Sequence, residues 1–217
     1  MKNLKIVVAV TAIGDHLVWK DFALSVLHNY YDPLGIEIDV QTEFLFDLEK
    51  YGPSWQWLLC HEYIDADFII CQDLDLLPTT KKLNIFDYLN FDMLNFMQDC
   101  TVLNHPKGPD AHFPYFKWNC GWCGVPKSSA EYLRGVYEKY KDNPRNWDAT
   151  FEQYYLNMDI GQNKIPVNEV PIKFNHFYDH GMKYDNVAFC HYTYNIKSSE
   201  KLVYMLKDHP NELRPDK

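Results

Sequence analysis

The chain has 217 residues, 47% of them apolar and 24% charged, with nine Gly and twelve Pro. That length suits one domain able to bury about 70% of its unfolded surface without disulfide staples, and the composition excludes a disordered or fibrous chain. The formal net charge of −9, with no basic cluster, argues against nucleic acid or an anionic membrane as the main partner.

Residues 5–13 read as a strand, with an apolar run from Ile6 to Ile13 broken by Thr11, the pattern of a strand covered on both faces of a parallel sheet. The run is too short to cross a bilayer, which takes about 20 residues, and it lacks the length and cleavage site of a secretory signal. Gly14-Asp15 then leads into a helix expected over 16–31, which Asp32-Pro-Leu-Gly breaks. A second strand is expected over 36–46, a Trp-rich helix over 53–63 with Trp55 and Trp57 in the core, and a third strand over 67–71. Fainter strand patterns at 93–97 and 118–125 precede helices over 128–141 and 147–158. Strands over 167–174 and 187–194 follow, and an amphipathic helix over 200–209 closes the pattern. Strands alternating with helices mean an α/β domain: a central, mainly parallel mixed sheet flanked by helices. We expect a single domain over 1–217, whole or cut from a longer chain. The irregular stretch 101–116, rich in Pro, His and aromatics, reads as a functional loop.

Cysteines stand at 60, 71, 100, 120, 123 and 190. Cys71 and Cys190 lie in apolar strand-like runs, where a free thiol behaves as a small hydrophobe. With no Asn-x-Ser/Thr acceptor, a reducing, cytoplasmic compartment is expected. Cys120 and Cys123 spell Cys-x-x-Cys, but no helix start or second ligand pair accompanies them to suggest redox or zinc chemistry. Neither a Gly-x-Gly-x-x-Gly fingerprint nor a P-loop is present.

Chemistry concentrates after the third strand. Phe68-Ile-Ile-Cys-Gln-Asp-Leu-Asp-Leu-Leu-Pro puts Asp73 and Asp75 at a strand's carboxyl end, where open α/β sheets bind ligands. A spacing of two sets both carboxylates on one face of an extended chain. Two like charges so close repel unless a cation lies between them. Mg²⁺ or Mn²⁺ fits carboxylate oxygens and completes its shell with a substrate's phosphates.

A buried strand running into Asp-x-Asp resembles the signature of GT-A fold, nucleotide-sugar-dependent glycosyltransferases. Further segments follow in that family's order. Trp118-Asn-Cys-Gly-Trp-Cys-Gly-Val is similar to its Phe-Asn-(Ser/Ala)-Gly strand. Phe151-Glu-Gln-Tyr-Tyr-Leu-Asn resembles its Asp/Glu-Gln-x-x-Leu-Asn helix, with Val170-Pro-Ile-Lys-Phe-Asn as the short strand after it. Ala188-Phe-Cys-His-Tyr-Thr-Tyr-Asn-Ile-Lys looks like the closing His…Lys segment. The likeness spans about residues 5–198 and is nearest to the glycogenin and bacterial galactosyltransferase branch; a small virally encoded member, working in a host cytoplasm, is one form the chain could take.

The resemblance implies transfer of a sugar from a nucleoside diphosphate, UDP above all, to an acceptor hydroxyl of a glycan or glycoprotein, with Mn²⁺ or Mg²⁺ as Lewis acid. By the family's pattern Asp75 and His191 ligate the metal, Asp73 reaches the metal or the ribose, and Lys197 meets the diphosphate. Thr11 and Ala12 would hold the nucleoside at the first strand's end, and Asn119, Gly121 and Gln153 would line the donor pocket. Glu152 stands where the family keeps an acid near the anomeric carbon. It could serve as general base, nucleophile or charge stabiliser, and Asp148, four residues earlier on the same helix face, competes for the role. The aromatic run His112-Phe-Pro-Tyr-Phe-Lys-Trp, with Trp122, offers ring faces to an acceptor sugar.

Two other classes share some of these features. Haloacid-dehalogenase-like phosphatases also carry Asp-x-Asp after a buried strand, but on the first strand and with a Thr or Val where this chain has Leu77. A non-catalytic sugar-nucleotide-binding module would keep the pocket and could dispense with the metal ligands.

Overall fold

The computed structural model describes residues 4–45, 52–79, 82–98, 117–142, 151–178, 187–192 and 198–209. The first apolar run becomes strand β1 (Ile6–Thr11), pairing in parallel with β2 (Glu37–Gln41) on one side and β3 (Phe68–Asp73) on the other. With β5 (Leu94–Gln98), β6 (Trp118–Pro126) and β7 (Val167–Val170) these make a six-stranded sheet in the order β2-β1-β3-β6-β5-β7. Only β6 runs against the others. That reversal has a consequence: the amino end of β6 lies at the same sheet edge as the carboxyl ends of its neighbours. Asp73 stands beside Thr11, and Trp122 beside Gln72.

Side chains alternate across a strand, and here both faces are apolar because both are covered. Val8, Val10, Phe68 and Ile70 pack on one face with Phe22, Val26 and Leu27 of helix α1 (Lys20–Tyr31). Val7, Ala9, Ile69 and Cys71 pack on the other, with Trp55 and Trp57, with Cys60 of the short helix α2 (Cys60–Tyr63), with Tyr137 of α3 (Ala130–Tyr140) and with Leu156 of α4 (Phe151–Asn163). Trp55 and Trp57 are core residues, as expected. A smaller sheet, β4 (Leu76–Pro78), β9 (Phe189–His191) and β8 (His176–Phe177), lies beyond the end of β3. Helix α5 (Ser198–Asp208) follows. Among the described residues no helix is long and apolar enough to cross a membrane.

Several elements differ from their sequence patterns. The 16–31 helix is split into a 3₁₀ turn at Gly14–Val18 and α1. The 53–63 helix is mostly 3₁₀, from Pro53 to Leu59, where tertiary packing of Trp55 through Leu59 overrides the α spacing. The second strand stops at Gln41 rather than 46, and the third continues past 71 to Asp73. The expected strand 167–174 ends at Val170 because Pro171 has no N–H to donate, and a 3₁₀ turn Ile172–Phe174 replaces its second half. β4 had no strand signal, since Pro78 reads as a stop; the proline closes a three-residue edge strand instead. The last strand is short, Phe189–His191, with 193 and 194 of its expected range outside the described residues. The expected 147–158 helix is described from Phe151 to Asn163; Asp148, Lys197 and the loop 101–116 also lie outside the described residues.

One side chain ties α4 to the amino end of β6. Asn157 accepts from the Lys117 and Trp118 N–H groups at 2.9 and 2.7 Å, and its amide donates to the Trp118 and Gln153 carbonyls at 2.9 and 2.7 Å. Truncation would orphan buried backbone groups, each costing about 1–3 kcal/mol. Asn157→Ala is expected to lower stability by about 3 kcal/mol, read from urea unfolding; a loss below about 1 kcal/mol would show the tether to be dispensable.

Candidate functional site

Asp73 is the last residue of β3, and Leu74 and Asp75 form the turn that follows. The carboxylates therefore come together through a turn rather than through alternate positions of an extended strand. Gln72 holds that turn: its amide donates to the Leu76 carbonyl at 2.6 Å, and its oxygen accepts from the Tyr31 hydroxyl at 2.6 Å. Leu74 is buried in the core, which turns Asp73 and Asp75 the other way. β9 pairs with β4, with His191 opposite Leu76, and so delivers the histidine to the same turn.

The imidazole Nε2 lies 3.3 Å from Asp75 Oδ1 and 3.5 Å from Asp73 Oδ2. Among the described residues, Asp73, Asp75 and His191 are the group of acidic, Cys and His side chains whose ligand atoms all fall within 4.8 Å of one another. Asp75 and His191 are buried, while Asp73 is about half exposed, at 53% of its side chain. The trio thus opens to solvent on one side only.

Asn175 fixes the histidine. Its Oδ1 faces His191 Nδ1 at 3.0 Å, and its amide donates to the Gln98 carbonyl at 3.3 Å. With Nδ1 engaged by Asn175, Nε2 is the atom that faces the carboxylates, the orientation of a metal-binding imidazole. Gly121 completes the cradle: a Cβ there would stand 2.5 Å from His191 Cε1, 2.8 Å from Asp73 Oδ2 and 2.9 Å from Asn119 Oδ1. Two hard carboxylate oxygens, a neutral imidazole and an open side suit Mn²⁺ or Mg²⁺.

Without a metal the cluster balances its own charge. Burial would depress the His191 pKa, but hydrogen bonds to Asp73 and Asp75 and their charges raise it to about 9. Burial would likewise raise Asp75, yet His191, then Lys201, hold its carboxyl well below the usual range. A folded His191 pKa above its unfolded value of 6.5 stabilises the fold fully below pH 6.5, and this is lost as pH rises through about 9. The contribution is about 3 kcal/mol. The metal-free chain should therefore lose more stability between pH 7 and 9 than His191→Gln does, measured by calorimetry; parallel curves would exclude the linkage. Since a metal must displace the Nε2 proton, Mn²⁺ affinity should rise about tenfold per pH unit below 9.

The other expected residues sit around this centre. Thr11 is partly exposed beside Asp73, and Ala12 is buried with its N–H bonded to the Gln41 carbonyl at 2.8 Å. Asn119 accepts from the Gly121 N–H at 3.0 Å, and Gln153 accepts from the Cys120 N–H at 2.7 Å. Glu152 is buried, and its Oε2 finds no hydrogen-bond partner among the described residues. Burial pushes its carboxyl up, which the neighbouring Ser54 only partly offsets, and the Asp73 charge adds to the rise. Trp122, offered as an acceptor platform, is instead fully buried in the core. Burial pushes the Cys123 thiol up to about 11, the reverse of a redox cysteine.

Two residues carried no role in the sequence. Asn175 closes the quoted segment from Val170, so its place was visible but its task was not. Lys201 donates to Asp75 Oδ2 at 2.5 Å from α5; in the sequence it is one more lysine of an amphipathic helix.

The fold is that of the GT-A glycosyltransferases. No family model matches the chain, and no curated protein sequence does. Among solved structures it is similar to a glycosyltransferase involved in glycosylation of the major capsid of PBCV-1, with a TM-score of 0.67 and 12% identity over 93% of this chain and 98% of that one. The galactosyltransferase LgtC, in complex with donor and acceptor sugar analogues, gives 0.64 and 14% over 97% and 98%. The glycosyltransferase GlyE of Streptococcus pneumoniae TIGR4 gives 0.61 and 11% over 94% of this chain and 61% of that one. At such identities the likeness is one of fold.

Proposed function

We propose that the chain is a divalent-metal-dependent glycosyltransferase that moves a sugar from a nucleoside diphosphate, UDP foremost, to an acceptor hydroxyl of a glycan or glycoprotein. The observation that carries this reading is the convergence of Asp73, Asp75 and His191, from the end of β3, the turn after it and β9, at the carboxyl edge of the main sheet. Asp73, Asp75 and His191 would hold the ion, and a bound Mn²⁺ or Mg²⁺ would supply Lewis acidity toward the diphosphate.

The chain's own groups do the rest. Asn175 holds His191 by Nδ1, with Nε2 toward Asp73 and Asp75. Thr11 and Ala12 form the nucleoside end of the pocket, beside a turn that starts at Gly14. Asn119 and Gly121 form its floor, and Gln153 holds that floor to α4. Glu152 is the acid nearest in kind to the reacting centre: buried, with an oxygen left over, it can accept the acceptor's hydroxyl proton or face positive charge developing at the anomeric carbon. Asp148 and Lys197 keep the roles the resemblance gives them. The buried thiols of Cys60, Cys71, Cys120, Cys123 and Cys190 suit a reducing, cytoplasmic compartment.

The test is UDP release over a panel of sugar nucleotides, with and without Mn²⁺. Metal-dependent release with one or two donors is expected. Liberation of inorganic phosphate from simple esters would identify a phosphatase instead, and donor binding without turnover a binding module.

A further inference from the structure

Lys201 and Asp75 stand 126 residues apart and meet as a buried pair. The ammonium lies 2.5 Å from Asp75 Oδ2, and the two side chains are 9% and 7% exposed. The carboxylate is therefore divided. Its Oδ1 faces His191 at 3.3 Å, while Oδ2 is taken by a cation the chain carries itself. Lys201 Nζ also lies 5.4 Å from the ring centroid of the fully buried Trp19. One turn further along α5, Met205 is buried in the core. Lys207, in the same helix, is exposed. The pair thus fastens the first turns of α5 to the turn that bears the candidate metal ligands.

We propose that Lys201 and a divalent cation compete for the Asp75 carboxylate, so that Lys201 belongs to the cation site, sets its affinity and couples its loading to the seating of α5. This rests on the metal-site reading of the preceding section. A dication entering beside Oδ1 meets the ammonium across one carboxyl group, where low local dielectric makes the repulsion large. A buried carboxylate stripped of its ammonium is left uncompensated and accepts another cation more readily. Both effects have the same sign: removing the lysine charge tightens metal binding. If Lys201 merely aimed Oδ1, its removal would weaken binding.

The experiment titrates the whole chain with Mn²⁺ alone, reading free Mn²⁺ by electron paramagnetic resonance. In Lys201→Met the Mn²⁺ dissociation constant is expected to fall by about tenfold or more. In Lys201→Arg, which keeps the charge, it should stay within about threefold of the original. Hydrogen exchange of amides 202–208 in the unaltered chain should speed up when Mn²⁺ is added. Equal or weaker binding by Lys201→Met overturns the competition while leaving the metal site standing. Mn²⁺ binding to neither protein removes the metal site and the competition together. If Lys201→Met does not fold, the exchange measurement decides: unchanged or slower exchange in α5 overturns the proposal.

Discussion

Asp75→Asn is expected to abolish Mn²⁺-stimulated sugar transfer, with kcat/KM falling by about 1,000-fold, the equivalent of about 4 kcal/mol of transition-state stabilisation. The change is nearly isosteric, so it isolates charge. It removes the buried carboxylate that faces His191 at 3.3 Å and Lys201 at 2.5 Å, and with it the only buried acid of the trio. A second signature separates this from a general folding defect. Loss of a carboxylate beside a buried ammonium costs about 3–5 kcal/mol, so the metal-free variant should melt earlier, while its donor binding without Mn²⁺ should match the original. Donor affinity and turnover that still respond to Mn²⁺ in Asp75→Asn would remove this residue from the ligand set.

Gly121→Ala should be nearly as damaging for a different reason. The added methyl would collide with His191 Cε1 at 2.5 Å, Asp73 Oδ2 at 2.8 Å and Asn119 Oδ1 at 2.9 Å. Asp73 can swing toward solvent, but the imidazole is held by Asn175 at 3.0 Å and is buried. Overpacking of this kind costs about 1–3 kcal/mol. The strain falls on the separation between Asp73 and His191, so Mn²⁺ affinity is expected to drop about 100-fold, measured by titration with the ion alone. A stable Gly121→Ala chain with unchanged Mn²⁺ affinity would show that the cradle does not need glycine. By contrast, Gly135→Ala, where a Cβ meets nothing within 4 Å, should leave binding untouched and raise helix stability by up to about 1 kcal/mol.

Much of the architecture was legible because it depends on local pattern. Runs such as Ile6–Val10 and Phe68–Cys71, apolar at every position, fit a sheet covered on both faces. Gly14 and Gly35 mark turns with positive φ, at 63° and 71°, where glycine has no steric penalty. Departures came where tertiary contacts outweighed the local signal. The 53–63 segment has the composition of a helix, yet Trp55 packs on Tyr137 and Tyr155 with centroids at 6.2 and 6.1 Å, and Trp57 on Phe96 at 6.3 Å. These contacts go with the tighter 3₁₀ winding of Pro53–Leu59.

Asp73, Asp75 and His191 were candidates from residue type and order alone, because chemistry restricts which side chains can share a cation. What no reading of the chain could supply was their distance, the turn that joins the two aspartates, and the small sheet that carries His191 back to them. Nor could it single out Lys201 from Lys207, the other lysine of its helix, since burial of an ammonium is decided by what lies opposite. Local sequence sets periodicity and the menu of ligands; convergence across more than a hundred residues is a property of the folded sheet, where strand direction and register determine which ends meet.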